Sequence, residues 1–67
     1  MWDYTGKKVK SIYLGREITG LVETTYVNYG IQVSHHIILD NDYDNGIVKR
    51  SAGEVIIACS TDTQIIE

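Results

Sequence analysis

The chain contains no proline, a single cysteine and no long apolar run. Each absence excludes something. One cysteine, Cys59, can close no disulfide within the chain, and an unpaired thiol suits a reducing compartment. No apolar run reaches the roughly 18 residues that span a bilayer as a helix. The opening Met1-Trp2-Asp3-Tyr4 carries neither the basic region nor the apolar stretch of a signal peptide. A cytoplasmic protein with no membrane segment is the expectation. Without proline, any edge strand must be blunted in some other way. No glycine-rich phosphate loop is present. No segment holds a helical apolar repeat over about eleven residues.

The length of 67 residues is read as a single small domain, residues 1–67. A Rossmann domain, a TIM barrel or a two-lobed enzyme needs far more chain. A chain of this mass removes only about 60% of its unfolded surface on folding. That is thin for a monomer with no disulfide, and it favours association of copies. The balance of 6 basic against 9 acidic residues, a net charge of -3, argues against non-specific nucleic-acid binding, which depends on neutralising phosphates. The cations are clustered nonetheless. Lys7, Lys8, Lys10 and Arg16 come early, Lys49 and Arg50 are adjacent, and Asp40, Asp42 and Asp44 concentrate negative charge elsewhere.

What is present reads as strands. Val, Ile, Thr and Tyr dominate, and glycines punctuate the chain. Lys7–Tyr13 is the first candidate strand, with Lys7, Val9 and Ser11 on one face and Lys8, Lys10 and Ile12 on the other, an imperfect pattern that suits a bent strand. Gly15 and Arg16 are expected to turn the chain. Glu17–Val27 follows, with Gly20 as the expected bulge, but neither face of this segment alternates cleanly. Asn28-Tyr29-Gly30 reads as a turn. Ile31–Asp40 is the clearest strand: Ile31, Val33, His35, Ile37 and Leu39 define the core face, and Gln32, Ser34, His36, Ile38 and Asp40 the other. Asn45-Gly46 is a hairpin signal, with a return strand from Ile47. Glu54–Ser60 and Gln64–Glu67 complete the set. The pattern resembles, in general form, a small SH3-like barrel of five or six short bent strands.

Val55-Ile56-Ile57-Ala58 and Ile37-Ile38-Leu39 are apolar on both faces. One face lines the core, so the expected second face presents Ile38, Ile56 and Ala58 as an oligomer interface.

The chemical candidates are few. His35 and His36 are adjacent, so on a strand they point to opposite sides and do not share an ion. His35 reads as a core histidine and His36 as a surface one. Asp40, Asp42, Asp44 and Gly46 imitate a calcium loop with the wrong spacing, and they read better as a solvated turn. Cys59 alternates with Val55 and Ile57 and reads as a structural thiol. No metal and no cofactor is expected.

The reading favoured by these residues is a non-enzymatic binding or regulatory protein. It acts through protein–protein contacts, as a homo-oligomer, in the manner of small accessory proteins, viral ones included. Tyr26, Tyr29, His36 and Tyr43 are the expected protein-binding residues, since tyrosines anchor interfaces well. One alternative is a nucleic-acid-binding barrel whose face is Lys7, Lys8, Lys10, Lys49 and Arg50. Another is an enzyme whose pocket forms only where subunits meet.

Overall fold

The computed structural model describes residues 2–29 and 32–66. Gly30 of the expected turn, Ile31 at the head of the expected core face and the terminal Glu67 lie outside them. The first two strands, β1 (Lys8–Tyr13) and β2 (Arg16–Asn28), form a hairpin. Leu14 and Gly15 close it at φ of 48° and 83°. Two successive positive φ angles give the hairpin turn whose twist suits antiparallel strands. Arg16, expected in the turn, already pairs with Tyr13.

Strand β3 (Gln32–Leu39) lies antiparallel along β2. The short strands β4 (Tyr43–Asp44) and β5 (Lys49–Arg50) pair with each other in a separate sheet. The chain then returns as β6 (Val55–Cys59) on the free side of β3. A 3-10 turn at Ser60–Asp62 leads to β7 (Gln64–Ile65), which pairs with β1. Across the large sheet the order is β6-β3-β2-β1-β7.

This corrects the expected SH3-like barrel. The described strands form two open sheets, of five and two strands, and no ladder joins β6 to β7 or to β1. Side chains bridge that gap at one end only. Ser11 on β1 meets the Thr63 hydroxyl at 2.8 Å, and Thr63 donates to the Cys59 carbonyl at 2.9 Å. Hydroxyls tie the curled sheet together there, and the backbone does not close it.

The uneven alternation of β2 has a local cause. Val22 pairs with Ile37 and Thr24 with His36, so Glu23 is an extra residue with no partner. A bulge of this kind reverses which face each later side chain takes. Ile18, Gly20 and Val22 face inward before it. After it Thr25 points inward, opposite His35. The bulge is therefore at Glu23 and not at Gly20.

Gly20 serves close packing instead. A Cβ there would stand 2.2 Å from the Ile38 carbonyl oxygen and 2.6 Å from a methyl of Ile37. The backbone oxygen cannot move aside without breaking the ladder, so only glycine fits.

Val9, Val22 and Ile37 form the centre of the core, with Ile18, Leu39 and Ile56 around them. The facing of β6 differs from expectation. Ile56 is 3% exposed and Ala58 5%, so both belong to the core and neither can be an interface residue on the outer face. Register explains it: Ile56 pairs with inward Ile37, and Ala58 with inward His35. Paired residues share a face. Val55 and Ile57 are the ones left outside.

The Asn-Gly hairpin is also wider than expected. The Asn45 side-chain oxygen accepts from the N–H groups of Ile47 and Val48, at 2.9 and 2.7 Å. That side-chain turn holds residues 45–48 as the loop and delays the return strand to Lys49.

Candidate interaction surface

The outer face of the large sheet is built in rows set by strand register. Leu21, Ile38 and Val55 stand abreast on β2, β3 and β6. Thr24, His36 and Ile57 form the next row, and Tyr26, Ser34 and Cys59 the next. Leu21 and Val55 are well exposed, and Ile57 is 60% exposed. The Tyr26 and His36 rings meet with centroids 4.6 Å apart, tilted by 52°. Beyond Leu21 the face turns basic, with Lys8 and Lys10 on β1. Lys8 reaches the Asp40 carboxylate at 2.5 Å. Both groups are partly solvated, so the pair is worth about 1 kcal/mol or less.

Of the expected protein-binding residues, Tyr26 and His36 are brought together here. Ile38, expected at an oligomer interface, lies between Leu21 and Val55. Tyr29 is 95% exposed beyond the end of β2, at φ 54°. Tyr43 is a core residue and not a surface one. It is 5% exposed, and its hydroxyl donates to the Tyr13 carbonyl at 2.7 Å. The Tyr13 ring packs edge-on against it. Composition had marked its neighbourhood as a polar turn, and nothing local distinguishes a tethering tyrosine from a displayed one.

The basic candidates sit on different elements. Lys7 is in the segment before β1, Lys8 and Lys10 are on β1, and Lys49 and Arg50 are on the small sheet. Lys49 pairs with Asp44 and Arg50 with Tyr43. The aspartates also go separate ways. Asp40 takes Lys8, Asp42 accepts from the Ala52 N–H, and Asp44 from the Gly46 N–H. Among the described residues no group of three or more His, Cys, Asp or Glu side chains could hold a metal ion.

His35 occupies the inner face. It is fully buried. Its ring stacks on Tyr4 at 4.4 Å, nearly parallel. Its Nδ1 meets the Thr25 hydroxyl at 2.8 Å, and that same oxygen accepts from the Tyr4 N–H at 3.1 Å. The Thr25 hydroxyl has a proton to give and a second lone pair to offer, so the Thr25–Nδ1 bond runs in the direction the ring tautomer sets. The ring's Nε2 is buried without a hydrogen-bond partner among the described residues. Burial pushes the His35 pKa below its ordinary value, and nearby Asp3 opposes this weakly. Asp3 itself is held low by the hydroxyl and N–H of Thr5.

Two clefts stand out among the described residues. One, of about 250 Å³, opens between the start of β2 and β4, among Arg16, Glu17, Asp42 and Tyr43. The other, of about 340 Å³, lies beside Cys59 with Gln32, Val33 and Thr61. The Thr61 hydroxyl donates to the Cys59 sulfur at 3.2 Å, and together with the Thr61 N–H it lowers the thiol pKa.

No helix among the described residues is long and apolar enough to cross a membrane. Comparison with protein-family models, curated protein sequences and solved structures finds no match to this chain.

Proposed function

We propose that this chain is a small non-enzymatic binding protein that works through protein–protein contacts as a homo-oligomer, in a reducing compartment such as the cytoplasm. One observation carries the reading: the apolar row of exposed Leu21 and Val55 with half-buried Ile38 between them, extended by Ile57 and the Tyr26–His36 pair, on a sheet face with no covering layer among the described residues. An antiparallel sheet ordinarily alternates apolar inside and polar outside. A contiguous apolar patch on the outer face departs from that rule in the way interfaces do. The aromatic pair supplies the kind of anchor that concentrates binding energy.

Light scattering on a sizing column tests it. The expected result is a mass above that of one 7.5 kDa chain at micromolar concentration. A single-chain mass at every concentration up to about 1 mM, a Kd that corresponds to only about -4 kcal/mol, removes the homo-oligomer.

A further inference from the structure

Resting on that homo-oligomeric reading, we infer that two copies join edge to edge through β6, about a two-fold axis at Ile57, into one continuous sheet. The argument begins with hydrogen-bond alternation. The Leu39 N–H donates to the Glu54 carbonyl at 2.9 Å. Hydrogen-bonded pairs alternate along an antiparallel ladder. The pairs Ile37–Ile56 and His35–Ala58 therefore continue the bonded set. The main-chain groups of Val55, Ile57 and Cys59 point the opposite way, off the edge of the sheet. The Cys59 carbonyl agrees with this, since it accepts from Thr63 on that far side.

β6 is the outermost strand of the large sheet, and no strand among the described residues pairs with its far edge. Val55-Ile56-Ile57-Ala58-Cys59 has no charge, no proline and no register shift against β3. Natural edges are normally blunted by one of these. Apart from the Cys59 carbonyl, which Thr63 holds, the outward N–H and C=O groups of this strand are satisfied best by another strand. Its own copy fits in register. Antiparallel pairing centred on Ile57 sets Ile57 against Ile57 of the second copy, where the two exchange a pair of hydrogen bonds. It sets Val55 against Cys59 of the second copy, whose N–H faces the Val55 carbonyl. The same pairing brings the two Ile57 side chains together on the outer face and joins the Leu21–Ile38–Val55 rows of both copies. A two-fold contact of this kind is self-complementary and closes on itself.

The test compares two variants by light scattering and circular dichroism. Ile57→Pro removes an N–H that points away from β3, and it should raise the dimer Kd about tenfold or more, since one bond is lost on each side of the axis. Leu21→Lys charges the outer face two strands away from the edge, and it should weaken the dimer by much less than Ile57→Pro does. Amide exchange on the unmodified chain is the second measurement. The Ile57 N–H should exchange slowly in concentrated solution and fast on dilution, with Ile56 protected throughout by β3. If Leu21→Lys dissociates the dimer and Ile57→Pro does not, the copies meet face to face: the edge pairing is overturned and the homo-oligomer stands. An Ile57 amide that exchanges fast in a demonstrated dimer overturns the pairing as well. If the unmodified chain is monomeric throughout, both fall together.

Discussion

His35 and His36 are neighbours in the chain and opposites in circumstance. His35 is sealed between Tyr4 and Thr25 on the inner face, with one nitrogen unpartnered. His36 leans on Tyr26 among half-exposed apolar side chains on the outer face. The peptide between them is the whole distance from core to surface. The difference teaches that the inner face is specified by close contacts, whereas the outer face is specified by what it leaves uncovered.

The comparison breaks most directly at Gly20. Gly20→Ala drives a methyl into the Ile38 carbonyl, and it should cost about 3 kcal/mol or more in urea unfolding. A cost below about 1 kcal/mol would mean that the two strands are free to separate and that the inner face is less tightly specified than described.

Thr24 and Thr25 permit a sharper version. Thr25→Val removes the acceptor for the Tyr4 N–H and the partner of His35 Nδ1, and should cost about 1–3 kcal/mol. Thr24→Val, one residue earlier and on the other face, should stay within about 0.5 kcal/mol. Equal losses would place both threonines in the same environment.

Acid tests the buried member of the pair. The His35 pKa in the folded chain lies below the ordinary 6.5, so the unfolded chain takes up the proton first. Stability is then fully present above about pH 6.5 and falls as the pH drops below it, until the folded-state pKa is reached. Urea titrations across pH 5–7 should show this fall. His35→Phe, which keeps a ring against Tyr4, should flatten it. A slope that persists in His35→Phe would assign the proton to another group.

The smallest effect is expected at Ile57. Ile57→Thr at a concentration where the chain is monomeric should change stability by no more than about 0.5 kcal/mol, because the side chain is mostly solvated before any partner arrives. A loss near 2 kcal/mol would show that it is packed within its own chain.

Much of this contrast is legible in the sequence where alternation is undisturbed. β1 reads correctly because Val9 and Ser11 differ in kind from Lys8 and Lys10. β3 reads correctly at His35, Ile37 and Leu39 for the same reason. β6 does not, because Ile56 and Ile57 are the same residue type, and only pairing with β3 decides which one turns inward. The barrel fails at a step beyond any local pattern. Closure depends on whether the first and last strands of a sheet meet, and here hydroxyls of Ser11 and Thr63 span what a ladder would have closed. On the outer face Tyr26, His36 and Ile38 were recoverable. Leu21, Val55 and Ile57 were not, since their exposure follows from the bulge and the register.

The bulge at Glu23 gives β2 two reading frames. Residues before it place even numbers inside, and Thr25 after it places an odd number there. Deleting Glu23 would leave Val22, Thr24 and Thr25 in plain alternation opposite Ile37, His36 and His35, so the inner face would keep its order and only the kink would be lost. An added residue there must instead widen the bulge or turn Thr25 outward, away from His35. Glu23 is thus a spare place in the count, held open between the two halves of one strand.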